Sequence, residues 1–525
     1  MQYSALRLRF AAALVCLAAL PAFTAIAQSG DEQTHHRGPA AAADQSAPPA
    51  TPDKSAAKPD TGDWNKLPPL PPDAHTEQSI TLDGKTLKYT VTVGTLPVRD
   101  ADGKTAGELV YIAYTVDAPN RPVTFAVNGG PGASSVYLNF GAIGPKHLDG
   151  IGNQGDSASD PTHLSDNPGT WLDFTDLVFL DPIGTGFSRS LVDPDQTRKL
   201  FYTTEPDIEY LSRAIYDWLV KNDRLTARKY LVGESYGGFR GPRITYYLQT
   251  QIGVAMNGVV LVSPYLNPTV EQNGDLSPLP WLLTLPSITA ANLEREGKLT
   301  PEAMKSVIDY TLGDYLTTLV HGNSDKAATD AMIQKVTEMT GLDPTFVKES
   351  GGRLETRAYL REVHREQGKL GSVYDSNVTM FDPFPYAPEQ RATDPILASI
   401  IAPTTTAMVD FVTRVVGWKV DARYNALSYD VGEHWSRDQD LRSGSATQLR
   451  DAVAADPKLR VMIVHGWNDL SCPFMGSILT VNQMPIMNDD GRVSVHEFPG
   501  GHMFYTRESS RVALRKDVMA MYSTH

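Results

Sequence analysis

Cysteine is nearly missing: the 525 residues include two, Cys16 and Cys472. Loss of an N-terminal leader carrying Cys16 would leave one thiol, which cannot close an internal disulfide, so the fold must rest on its core. Positive charge is also short, with 47 Lys and Arg against 61 Asp and Glu and a formal net charge of −14. Such a chain repels phosphate backbones and anionic lipid heads, and no block of like charge offsets this. Nucleic acid and membrane surfaces are therefore not expected as partners. Clusters of Cys, His and carboxylates at metal-ligand spacing are lacking, and His35-His36 reads as a solvated pair, so no metal or cofactor is expected. Beyond the leader no segment reads as apolar enough to span a bilayer.

What is present begins with that leader. Arg7 and Arg9 precede an apolar run from Phe10 to about Phe23, and Ala25-Ile26-Ala27 has the form of a signal cleavage site. Pro21 and the small residues that follow favour cleavage over retention as an anchor, and Val15 before Cys16 does not fit lipid attachment. The expected product is periplasmic or secreted, cut after Ala27, with no membrane attachment afterwards. One remaining cysteine in an oxidising setting fits a bacterial protein. Residues 28–64 are rich in Ala, Pro, Asp, Ser and Thr with no aromatic before Trp64, the composition of a flexible tether.

Hydrophobic residues make up 41% of the chain, enough for one large domain with an insertion. Ile80-Thr81-Leu82, the Asp83-Gly84 turn and Leu87 to Val91 form an antiparallel pattern, and a second turn at Asp102-Gly103 precedes Leu109 to Tyr114. Short apolar runs then alternate with helical stretches: Val123 to Val127, Leu177 to Leu180, Tyr230 to Val232, Val259 to Val262, Val461 to Val464 and Val493 to Phe498. That alternation predicts a mostly parallel central sheet with helices on both faces. Between residues 270 and 448 it lapses into helical patterns such as Pro301 to Leu319 and Leu354 to Gln367. The expected organisation is a core domain of residues 65–269 and 449–525 with a mainly helical cap, 270–448, inserted over the carboxyl ends of the strands.

The strongest chemical signal is Gly233-Glu234-Ser235-Tyr236-Gly237, between the Tyr230 to Val232 strand and a helix. This is the G-x-S-x-G elbow of the α/β-hydrolase fold, which exposes a nucleophilic serine, Ser235, on a tight turn. Such a serine needs an acid and then a base later in the chain. Asp469, in His465-Gly466-Trp467-Asn468-Asp469, and His502, in Pro499-Gly500-Gly501-His502-Met503, both follow strands at their carboxyl ends. His465 and His496 are alternative bases. His496 falls inside an alternating strand, and Asp176 and Asp181 precede the elbow, where structural roles suit them better. Asn128-Gly129-Gly130-Pro131-Gly132 follows the Val123 to Val127 strand and can offer the Gly130 N–H to an oxyanion beside that of Tyr236. No Gly-Lys-Ser/Thr follows, which argues against a phosphate loop. Asp181 to Ser188 is given structural and pocket-wall roles.

Together, Asn128 to Ser135, Asp181 to Ser188, Gly233 to Gly238, Gly466 to Asp469 and Gly501-His502-Met503 resemble the serine carboxypeptidase family, as a bacterial-type member. The resemblance implies a peptide substrate that loses its C-terminal residue, its terminal carboxylate held by Asn128 and Glu234. Three departures stand out. The family's Trp two residues before the asparagine is Ala126, which is expected to loosen the pocket wall. Its cysteine after the first motif is Ala133. Its second glutamate, which shares a proton with the first, falls at Ala142. An esterase or acyltransferase on the same scaffold is the alternative, and a non-catalytic binding relative is disfavoured because every triad position is filled.

Overall fold

The computed structural model of the chain describes residues 67–267, 277–388, 391–436, 444–487 and 491–523. The leader (1–27) and the tether (28–64) lie outside the described residues. A long sheet takes in β1 (Ala74–Leu82), β2 (Lys85–Arg99), β3 (Thr105–Thr115), β4 (Val123–Val127), β5 (Asp176–Leu180), β6 (Lys229–Glu234), β7 (Gly258–Val262), β8 (Arg460–Gly466) and β9 (Val493–Phe498). Their spatial order is 1-2-3-5-4-6-7-8-9, and the short Arg189–Ser190 strand adds to β3. The first three strands and the β3–β5 pair are antiparallel. All later pairs are parallel. The hairpin turn between β1 and β2 places Asp83 at φ 48° and Gly84 at φ 76°, the left-handed pair that an Asp-Gly turn supplies.

The apolar runs of the parallel strands are buried on both faces because each strand feeds alternate side chains into two cores. Leu177, Phe179, Val232, Val260, Val262 and Val464 enter one cluster. Val178, Leu180, Leu231, Val259, Leu261 and Ile463 enter the other. Helix α1 (Thr204–Lys221) covers the second face with Ile208, Leu211, Ile215 and Leu219, spaced along one stripe of the helix. The same face takes Phe239 and Ile244 from α2 (Tyr236–Tyr247). The first face is covered by Leu514, Val518, Met521 and Tyr522 of the C-terminal helix Glu508–Ser523. Each such side chain contributes about 1.5–3 kcal/mol by leaving water. This is the α/β-hydrolase arrangement expected from the sequence.

Between β7 and β8 the chain is mostly helical. Helix α3 (Leu279–Arg295) contributes Leu285 and Ile288 to a separate cluster with Tyr315, Val336 and Tyr359. Helix α4 (Pro395–Asp410) instead sends Ile396, Ile400, Ala407 and Met408 into the first core of the sheet. It starts where Asp394 accepts the Ile396 and Leu397 N–H groups, a side-chain N-cap followed by proline. One expectation needs correction here. The stretch Pro395–Val415, 21 residues with mean hydropathy 1.5, is apolar and long enough to cross a membrane. Its apolarity has a local reason, since Ile396, Ile400, Met408, Phe411 and Val412 are buried in the core.

Candidate active site

Ser235 sits between β6 and α2 with φ 58° and ψ −120°, a strained turn for a residue with a side chain. Backbone bonds on every side hold it. Its N–H donates to the Val262 carbonyl at 2.9 Å, and its own carbonyl accepts from Gly238 N at 2.8 Å and Tyr265 N at 3.0 Å. Glycine is required beside it: a Cβ on Gly237 would lie 2.3 Å from the Val127 carbonyl oxygen. Across the turn runs the Asn128 to Gly132 loop, packed so closely that a Cβ on Gly129 would lie 2.4 Å from Tyr236 N. Gly129, Gly130, Ser235 and His502 line one cavity of about 130 Å³.

Asp469 and His502, 33 residues apart in sequence, meet through Oδ2 and Nδ1 at 2.8 Å, both fully buried. The other Asp469 oxygen accepts the Ser471 and Cys472 N–H groups at 2.8 and 2.9 Å, which fixes the carboxylate plane. The His502 backbone is clamped, its N–H donating to the Tyr374 carbonyl at 2.6 Å and its carbonyl accepting from Ser263 Oγ at 2.8 Å. Burial disfavours a charged imidazole, but the Asp469 carboxylate, with Glu234 behind it, outweighs that and holds His502 above its ordinary value. With Nδ1 committed to Asp469, Nε2 is the nitrogen left for a proton from a serine.

The alternative bases lie elsewhere. His465 is buried with Nε2 against Ser477 Oγ at 2.8 Å, and burial plus the nearby His502 lower it to about 3. His496 is half-buried, its Nδ1 facing Asp517 at 3.1 Å.

Asn128 and Glu234 touch directly: Asn128 Nδ2 donates to Glu234 Oε2. Asn128 cannot turn its amide over, because Oδ1 already accepts Leu138 N–H at 3.0 Å. Its carbonyl accepts from Arg240 Nη1 at 2.8 Å, and Arg240 is itself paired with Asp207 at 2.6 Å behind the loop. Glu234 is buried, which raises its carboxyl, while His502 and a hydrogen bond from Tyr505 pull it down and Asp469 adds to the rise. That hydrogen bond, from the Tyr505 hydroxyl to Glu234 Oε1, had no place in the sequence reading. Its only signal was an aromatic residue three positions after His502. Ala142 is buried in the helical turn Tyr137–Ile143 and brings no acid to the site.

Three further features were illegible in the sequence. Tyr374, from the helical segment, places its ring 5.2 Å from that of His502. Leu397 and Ile400 of α4 line this cavity with Tyr137, Leu427 and Met503, making its wall largely apolar. Arg507 pairs with Asp375 at 2.8 Å and with Glu294, tying the helical segment to the loop of His502. Ala126 is fully buried in β4 within the first core. One expectation is corrected. Gly184 and Ser188 line a separate cavity of about 710 Å³ with Arg189 and Arg198, so that loop walls a neighbouring groove. Asp181 at its start holds Ser135 N–H at 2.8 Å.

Comparison with known proteins bears on the family and the fold. The sequence model described as serine carboxypeptidase matches residues 99–510. Serine carboxypeptidase-like 50 of Arabidopsis thaliana is 34% identical over 160 residues, which are 30% of this chain and 33% of that protein. Serine carboxypeptidase S10 family member 1 of Dictyostelium discoideum is 31% identical over 229 residues, 42% of this chain and 50% of that protein. The chain thus spans between a third and a half of the length of these curated relatives. Among solved structures, Kex1(delta)p, a prohormone-processing carboxypeptidase from Saccharomyces cerevisiae, covers 83% of this chain and 91% of its own at TM-score 0.52 and 16% identity, a likeness of fold.

Proposed function

The chain belongs to the serine carboxypeptidase family, and from that premise we propose that it removes C-terminal residues from peptides through an acyl-enzyme on Ser235. Ser235 Oγ attacks the scissile carbonyl carbon as His502 Nε2 takes its proton, and Asp469 stabilises the imidazolium that forms. The Gly130 and Tyr236 N–H groups receive the negative charge on the carbonyl oxygen. Collapse breaks the C–N bond, His502 returns the proton to the departing amine, and water attacks the acyl-serine by the same path. Asn128 and Glu234 face the terminal carboxylate of the leaving residue, which restricts cleavage to the chain end. The observation that carries this reading is the single cavity shared by Ser235, His502, Gly130 and Glu234, with Asp469 at 2.8 Å behind the histidine.

Residues 65–269 and 449–525 form the catalytic domain in this reading, and 270–448 the cap. The leader directs the chain to the periplasm or the medium, so the first residue of the exported protein is Gln28, which N-terminal sequencing checks. A panel of peptides followed by mass spectrometry tests the activity. Stepwise loss of C-terminal residues, together with fluorophosphonate labelling at Ser235, is the expected result. Ester cleavage with intact peptides would return the site to the esterase alternative.

A further inference from the structure

Glu234 adjoins the nucleophile, and its two carboxylate oxygens are taken by donors from two different loops. Asn128 Nδ2 donates to Oε2 and the Tyr505 hydroxyl to Oε1. The Asn128 amide is locked by Leu138 N–H at 3.0 Å, so it always presents its NH₂. Tyr505 is locked as well. It is fully buried, its carbonyl accepts from Arg511 at 2.7 Å, and a Cβ on Gly141 would lie 2.9 Å from its ring. Among the described residues no lysine or arginine pairs with Glu234. The remaining groups that face it are His502, Asp469 and the phenols of Tyr137 and Tyr374.

We propose that the Tyr505 hydroxyl is the positioning donor that orients Glu234 and governs its protonation, and so sets the pH up to which the site accepts a peptide with a free α-carboxylate. The inference rests on the reading of Glu234 as the group that meets that carboxylate. Two carboxylates cannot comfortably both be charged in one buried site, so binding requires Glu234 to hold a proton. A hydrogen bond donated to a carboxylate favours its charged form. The Tyr505 phenol can donate that bond without taking the charge itself, because burial, with Glu234 beside it, pushes its own ionisation well above the ordinary value. Tyr505 therefore opposes proton uptake by Glu234 while holding it in place, and confines tight binding of free C-termini to lower pH than burial alone would.

The test is the pH dependence of KM for a free-acid peptide and its matched C-terminal amide, from pH 4 to 8. Tyr505→Phe keeps the ring and its packing and removes the donor. Loss of one charge-assisted hydrogen bond corresponds to about one pH unit, so the midpoint of the KM rise moves up by about that much. At pH 7 to 8 the free-acid KM then falls by up to about tenfold against wild type, kcat changes less, and the amide shows no such shift. In a Glu234→Gln background the same substitution adds no pH shift. Tyr505→Met, a second variant without the hydroxyl, reads the same midpoint if Phe disturbs folding. An unmoved midpoint in a folded variant, with Glu234→Gln still acting selectively on free acids, overturns the role of Tyr505. Equal effects of Glu234→Gln on acid and amide at every pH would overturn the carboxylate reading beneath it.

Discussion

Strand β5 carries a buried aspartate at each end, and the two are treated in opposite ways. Asp176, at the amino end, pairs with Arg121 at 2.8 Å and Arg224 at 2.6 Å. Asp181, just past the carboxyl end, receives the Ser135 backbone N–H and, among the described residues, no cation, and burial pushes its carboxyl up to about 7. The same contrast recurs around the elbow. Glu294 and Asp375 share Arg507, whereas Glu234 has an amide and a phenol. Arg240 lies close by, yet its charge is met by Asp207 and the Asn128 carbonyl. Asp176, Asp207, Glu294 and Asp375 meet guanidinium groups, whereas Glu234 and Asp181 are held by neutral donors and Asp469 by a histidine. A guanidinium beside Glu234 would hold it charged against a substrate carboxylate, so its exclusion serves the proposed chemistry at a cost in stability.

Three substitutions on the uncompensated side sharpen the contrast most, because they separate activity from folding. Ser235→Ala is expected to lower kcat by about 10⁶-fold, since removal of a triad nucleophile leaves only binding and the oxyanion donors. Its thermal midpoint should stay at or above wild type, because the strain belongs to the backbone and a small side chain remains. Retained turnover in the purified variant would remove Ser235 from the mechanism. His502→Ala should be comparably severe, and Asp469→Asn milder at about 10⁴-fold, because the acid orients the base and does not itself take the proton. A pH–rate profile checks both.

Asp176→Ala breaks the comparison from the other side. It strips two partly buried guanidinium groups of their shared carboxylate, a change that typically costs about 3–5 kcal/mol. Both arginines keep backbone carbonyl partners, Leu172 O for Arg121 and Arg121 O for Arg224, which places the expected loss toward the lower figure. Denaturant unfolding should report that loss while kcat/KM of the folded enzyme is retained. A loss of activity without a loss of stability would show that the amino end of β5 is coupled to the site.

Much of the scaffold was legible because its signals are local. The Val123 to Val127 and Val493 to Phe498 runs coincide with β4 and β9, since a short apolar stretch between turns has few other uses in a two-faced sheet. The motif loops were legible for a related reason: glycines forced by backbone contact, as at Gly129 and Gly237, leave a fixed spacing in the chain. What stayed hidden depends on contacts between distant segments. Nothing near Tyr374 announces that it packs on His502, 128 positions later. Nothing in α4 distinguishes a helix over the cavity of Ser235 from a spanning one; only its burial against the sheet does. Tyr505 was in view yet unread, because its partner Glu234 is 271 positions away.

A pH dependence is the most direct test of how Asp181 differs from Asp176. An aspartate titrates near 3.9 in an unfolded chain, and Asp181 titrates at about 7 in the folded one. Between those values the folded protein holds a proton that the unfolded chain has released. The raised carboxyl therefore contributes stability that is complete below about pH 4 and is lost as pH rises through about 7. At about 1.4 kcal/mol per pKa unit, the span amounts to at most about 4 kcal/mol. Asp181→Asn cannot ionise, and its Oδ1 can still accept the Ser135 N–H. Its added NH₂ protons need acceptors where the protonated acid has a single O–H, so the variant should match or fall slightly below wild type at pH 5. Wild type should then lose stability toward pH 8 while the variant loses less, and the two melting curves should cross. Other buried acids, Asp375 and Glu497 among them, also have raised carboxyls and tilt both proteins alike, so the difference between the curves is the quantity to measure. Parallel curves would mean that Asp181 is compensated after all, and that the two ends of β5 are closer in character than their partners suggest.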